Sequence, residues 1–97
     1  MLSSFYETVI TDQRIGATHI SIYIALLFDY STNRYQNPVK VERHLIMTRA
    51  RIRSRTTYDK CIHDLHNYGY IDYKPSYDYG KSQVRMIEMK GARVQTK

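Results

Sequence analysis

Residues 54–71 read Ser54-Arg55-Thr56-Thr57-Tyr58-Asp59-Lys60-Cys61-Ile62-His63-Asp64-Leu65-His66-Asn67-Tyr68-Gly69-Tyr70-Ile71. Tyr58, Cys61, Ile62, Leu65 and Tyr68 recur at the spacing that places side chains on one face of an α-helix. Ser54 stands where a hydroxyl can accept from an unpaired N–H of the first turn. Gly69 stands where the chain leaves the helix in a left-handed conformation, which costs a residue without Cβ nothing. Together these signals predict one helix over residues 54–68, with Tyr58, Cys61, Ile62 and Leu65 buried. Beyond it, Ile71, Tyr73, Pro75 and Tyr77 alternate with Tyr70, Asp72, Lys74 and Ser76, as in a strand. Pro75 implies an edge or a bulge there. Asp78 to Lys81 supply a turn, and Ser82 to about Met89 return as a second strand.

Upstream, Thr18 is placed to cap a segment running to about Asn33. Ile20, Ile22 and Ile24 alternate like a strand, whereas Tyr23-Ile24 and Leu27-Phe28 recur like a helix. Length and the Ala25-Leu26-Leu27 run favour a helix, apolar nearly all round and central to the core. Asn37-Pro38 makes a break. Val39-Lys40-Val41 is long enough for a single edge strand. Glu42 to about Arg49 reads as a short helix with Leu45, Ile46 and Met47 inward, and Ala50 to Arg53 as a link anchored by Ile52. Residues 1–17 are an arm in which Phe5 to Ile10 could be extended. Residues 90–97 form a polar, basic tail.

The order of helix, short strand, short helix, tight link, capped helix and hairpin is that of a winged helix. Residues 54–71 resemble the recognition helix of bacterial winged helix-turn-helix proteins, the GntR and MarR types among them. Thr57 and Tyr58 fill that pattern's Thr-apolar pair, Cys61-Ile62 its inner pair, and Leu65 its inner leucine. Gly69-Tyr70-Ile71 matches its helix stop and the entry into the wing. The resemblance implies an α+β winged helix-turn-helix domain over residues 18–89, a three-helix core with a C-terminal β-hairpin wing. One departure is plain. Many such domains carry Leu-Gly-Val ahead of the capping serine, and this chain has Arg51-Ile52-Arg53, so a longer or differently shaped turn is expected.

Charge agrees with that resemblance. Fifteen Lys+Arg against nine Asp+Glu give +6 over 97 residues, and a small basic domain has polyanions as its default partners. Between Arg43 and Lys60 stand six basic residues and one acid. A recognition helix offers its N-terminus and outer face to the major groove. Arg55 can therefore donate two bonds to guanine, and Thr56 can meet a base edge or a thymine methyl. Asp59 can accept from cytosine N4 or serve as a local salt-bridge partner. Ser54, Lys60 and His63 complete that surface. Arg49, Arg51 and Arg53 are expected along the phosphates. The hairpin would carry Lys74, Lys81 and Arg85 to the backbone, with Tyr77 and Tyr79 at its tip. Those two rings could stack on sugar or protein, or simply cover the hairpin.

Other chemistry fares worse. His63 and His66 stand three apart near Cys61, but the buried stripe takes Cys61 and turns His63 away, so the three do not converge on a metal. His19 and His44 read as isolated. The glycines stand at 16, 69, 80 and 91, which excludes a glycine-rich phosphate loop, and no nucleophile elbow or paired-carboxylate motif occurs. Cys61 reads as a core cysteine. The expectation is a protein with no catalytic residue, metal or cofactor. The longest apolar stretch, Ile22 to Phe28, is far short of a membrane span, and the start has no basic segment leading an apolar run. A single cysteine fits a reducing cytosol. The expected place is cytoplasmic, on the nucleoid.

The leading expectation is sequence-specific binding of double-stranded DNA by a small transcriptional regulator. A replication or recombination accessory protein of a plasmid or mobile element is the first alternative. A winged helix used as a protein-interaction module is the second, and the arginine-rich helix start speaks against it. Single-stranded RNA binding is the third, and no RNP-like or KH-like motif supports it. A homodimer would match a palindromic site, with residues 1–17 and the first helix as the available surfaces.

Overall fold

A computed structural model describes residues 2–78 and 81–87. In chain order the elements are α1 (Leu2–Val9), α2 (Ala17–Thr32), β1 (Val39–Val41), α3 (Arg43–Ala50), α4 (Arg55–Asn67), β2 (Ile71–Lys74) and β3 (Ser82–Met86). The class is α+β: four helices among the described residues against a three-stranded antiparallel sheet ordered β1-β3-β2.

The helix at the centre is α2, packed on α3, α4, β1 and β3. Its inward side chains include Ile22, Tyr23 and Leu26, all fully buried. Thr18 is not its cap, because it already lies inside the first turn. The N-cap is Gly16, whose N–H donates to Nδ1 of His19 at 3.0 Å. The imidazole three residues further on satisfies the N–H of the cap residue itself, and no side chain caps the first turn.

Residues 1–17 depart most from expectation. Phe5 to Ile10 are not extended. Leu2–Val9 form α1, which buries Phe5 completely and Val9 nearly so. The Phe5 ring stacks on Tyr23 at 3.7 Å and meets the edge of Tyr70 at 5.6 Å. The following loop is clasped as well. Asp12 accepts from the guanidinium of Arg14 at 2.9 and 2.8 Å and from the Tyr70 hydroxyl at 2.7 Å, while Arg14 lies 4.0 Å over the Tyr68 ring. The Arg14 hydrogen bonds, joined by that of Tyr70, hold the Asp12 carboxyl well below the usual carboxylate range against the opposing effect of burial.

Schellman-type turns follow α2, α3 and α4 alike. After α2, Arg34 takes φ +58, its N–H donates to Ser31 O at 3.1 Å, and the Tyr35 N–H donates to Tyr30 O at 2.9 Å. After α4, Gly69 takes φ +89, its N–H donates to His66 O at 3.1 Å, and the Tyr70 N–H donates to Leu65 O at 2.9 Å. After α3, Arg51 takes φ +62, its N–H donates to Thr48 O at 3.3 Å, and Ile52 N–H donates to Met47 O at 2.9 Å. The link before α4 is thus short and closed despite Arg51-Ile52-Arg53. Ser21 of α2 secures it further by donating to Ala50 O at 2.6 Å.

Leu45 is a correction: it is 42% exposed. A helix of two turns offers one narrow stripe, and Ile46 with Ala50 fills it, Met47 packing alongside. In the sheet, β1 pairs with β3 as an edge strand, Val39 opposite Val84 and Val41 opposite Ser82. β2 ends at Lys74, short of Tyr77, with Pro75 directly after it on the outer edge of the sheet, where the Tyr73 N–H also turns away from β3 to His66 Nδ1 at 3.0 Å. Strand β3 ends at Met86, where Asn37 accepts from the Met86 N–H at 2.8 Å and donates to its carbonyl at 3.0 Å. Glu88, Met89 and residues 90–97 lie outside the described residues.

One core group lacks a partner. The Tyr23 hydroxyl is buried without a hydrogen-bond partner among the described residues, and burial pushes its pKa up to about 12. Replacing an unsatisfied hydroxyl by hydrogen removes a desolvation cost without breaking a bond. Tyr23→Phe should leave stability unchanged or raise it by about 1 kcal/mol, read as the urea midpoint. A loss above that amount would mean the hydroxyl is satisfied.

Candidate nucleic-acid interface

The start of α4 is built as its residues dictate. Ser54 is extended at φ −88, ψ 120, and its Oγ accepts from the Thr57 N–H at 3.1 Å. Tyr58, Cys61, Ile62 and Leu65 are all buried, facing α2 and β2. Arg55 and Thr56 therefore stand exposed on the first turn, and Arg51 and Arg53 on the link before it.

The hairpin loop comes back to this helix start. Arg55 shares a notch of about 300 Å³ with Val41, Arg43, Ser76, Tyr77, Asp78 and Ser82. The loop is shaped by its own serines: Ser76 N–H donates to Ser82 Oγ at 2.9 Å, and Asp78 N–H to Ser76 Oγ at 3.1 Å. The Lys81 N–H closes it onto Asp78 O at 3.1 Å. Tyr77 is fully exposed, so it does not cover the hairpin; Tyr79 lies outside the described residues. Two guanidinium groups and one exposed phenol ring thus border a single concavity, with the Asp78 carboxylate as its one acid among the described residues. Arg43 belongs here, a residue the sequence counted in the basic cluster without giving it a role. Its signal was its place just past the Val39–Val41 strand, one residue after Glu42, which sets it at the start of α3.

Several expected members are engaged elsewhere. Arg49 forms an ion pair with Asp29 of α2, and its guanidinium lies 5.2 Å from the centre of the Phe28 ring. Lys60 donates to Asp64 at 2.8 Å along its own helix. His63 bonds through Nδ1 to the Asp59 carbonyl at 2.7 Å and sets its ring edge-on to Tyr73 at 5.4 Å. Asp59 is half-buried, and its carboxylate makes no ion pair among the described residues, so the salt-bridge alternative finds no partner there. Lys81 is exposed beside the loop.

Lys74 and Arg85 do not join the notch. Along β3, Val84 and Met86 are buried and Gln83 and Arg85 face outward. Lys74 pairs with Gln83 and Asp72 with Arg85, and these four side chains border a shallow depression with Pro38. The two cations therefore lie on the sheet face turned away from the helices. The period of two already separates Arg85 from Val84 in the sequence; which face meets the helices is a tertiary matter.

His19 is not isolated. Its Nδ1 accepts from Gly16, so Nε2 carries the proton and donates to Asp64 at 2.9 Å. With Cys61, these groups place one ligand atom each within 4.8 Å of one another. They do not fit a metal ion. A metal-bound imidazole donates from its other nitrogen, whereas Nδ1 here accepts, and the Lys60 ammonium already sits on Asp64 Oδ2. Bonds from Lys60 and then His19 hold the Asp64 carboxyl below its ordinary range, and burial pushes the Cys61 thiol up. His19 and Asp64, joined by Lys60, form a polar tether between α2 and α4, and Cys61 is a buried thiol beside it.

Arg51 carries a testable conflict between stability and surface charge. A left-handed L-residue costs roughly 1–2 kcal/mol, and glycine gives back roughly 0.5–1 of that as unfolded-state entropy. Arg51→Gly should therefore stabilise the chain by about 0.5–1 kcal/mol on urea unfolding. An unchanged or lowered midpoint would show that the Arg51 side chain supports the fold.

Among the described residues no helix is long and apolar enough to cross a membrane. No protein-family model matches the chain, and neither a curated protein nor a solved structure matches it.

Proposed function

We propose that the chain is a winged helix-turn-helix protein that binds double-stranded DNA sequence-specifically, as a small transcriptional regulator. The observation that carries this reading is the convergence of Arg55, Arg43 and the exposed Tyr77 on one notch beside the capped first turn of α4. A helix whose first turn is exposed and cationic, flanked by a hairpin segment that carries the exposed Tyr77, is shaped to enter a major groove and brace on the adjacent backbone. In this reading Arg55 and Thr56 read base edges. Arg51, Arg53 and Arg43 hold phosphates. Arg49 stands aside, because its charge is already matched by Asp29.

The test is Arg55→Ala on a duplex selected from random sequence and on an unselected duplex, across a salt series. It should cost about 1–3 kcal/mol on the selected duplex and much less on the other. Arg53→Ala should weaken both alike and lower the salt slope by about one. Equal loss on both duplexes for Arg55→Ala removes base readout from this residue. Binding unaltered by either substitution removes DNA from this helix.

A further inference from the structure

Most of the large apolar side chains that the core leaves uncovered gather on α1, α2 and the turn after α2. Leu2, Ile24, Leu27, Phe28 and Tyr35 line a groove of about 350 Å³, and Tyr6 lies one helical turn beyond Leu2 on the same stripe. Leu2, Tyr6, Ile24, Phe28 and Tyr35 are 40, 41, 39, 53 and 65% exposed. With aromatic side chains offering roughly 150–250 Å² each, this face presents on the order of 500 Å². That is at the upper end of what a solitary monomer leaves open. Paired with itself over its whole extent, it removes about 1,000 Å² from water, the threshold of a weak, concentration-dependent interface.

Charge narrows the occupant. The chain carries +6, yet no lysine or arginine lines this groove among the described residues. Arg49, which lies against Phe28, is neutralised by Asp29. Exposed Arg34 adjoins Tyr35 at the rim, so an acidic partner or a nucleic acid finds a charge at the edge of this face and none within the groove. A second copy does find a match, because two basic chains can meet on an uncharged face while the exposed arginines of the link and α4 stay apart. A face holding both a groove and projecting rings can also be self-complementary about a two-fold axis.

We infer that this face is the interface between two copies of the chain, with Ile24 and Phe28 at its centre. The inference stands apart from the DNA reading, and its test contains no DNA. Sedimentation of the full chain over a concentration series should give a monomer–dimer equilibrium with a limiting mass of twice the chain. Ile24→Asp and Phe28→Asp, made separately, should each weaken that equilibrium at least tenfold. Both side chains are exposed, so far-UV circular dichroism should remain that of the parent; if one variant misfolds, the other decides. A chain that stays monomeric at its highest soluble concentration overturns the inference. So does a dimer whose constant is unmoved by a folded variant, or an assembly that grows beyond two.

Discussion

Phe5→Ala should cost about 3–5 kcal/mol in stability. The ring is 0% exposed, stacked on Tyr23 and edge-on to Tyr70, so its removal leaves a cavity walled by two large side chains that cannot both close it. Against a total of roughly 5–15 kcal/mol for a small domain, that is a large share. The measurement is the urea midpoint at constant slope, since an altered slope would report a changed compactness instead. The result also decides what the first helix is. If residues 1–17 were an appended arm, the same substitution would move stability by no more than about 0.5 kcal/mol.

Leu65→Ala should cost about 2–5 kcal/mol. Leu65 is fully buried where α4 meets α2 and β2, and its carbonyl accepts the Tyr70 N–H that turns the chain out of the helix. The substitution keeps the backbone bond and deletes only the packing, so the loss reads the stripe directly. Leu65→Met should cost under about 1.5 kcal/mol because it conserves volume. An alanine variant within about half a kcal/mol of the parent, the range of an ordinary surface change, would place the buried stripe elsewhere on the helix.

What was legible in the sequence was local. The Ser54 cap, the stripe from Tyr58 to Leu65 and the left-handed stop at Gly69 are interactions between near neighbours in the chain, and the residue types themselves encode them. The same holds for the alternation that separates Arg85 from Val84. At the candidate interface, Arg55 and Thr56 stand exposed on the first turn of α4, as the helical stripe demands, and Arg51 and Arg53 are exposed on the link before it.

What only the tertiary structure decided depends on partners far along the chain. A short amphipathic segment such as Leu2–Val9 has no strong preference of its own, and it is helical because Phe5 finds a socket between Tyr23 and Tyr70. Arg49 reads as a free cation until α2 brings Asp29 beside it. His19 looks solitary until α4 delivers Asp64 from 45 positions away. The strand β1 has an edge to pair with only after the hairpin has brought β3 alongside, and Arg43 joins Arg55 only because that pairing sets α3 beside the hairpin loop. Local periodicity specifies which side of an element turns inward. Which element it turns toward, and which charges are thereby matched, is set by long-range packing that no window of sequence contains.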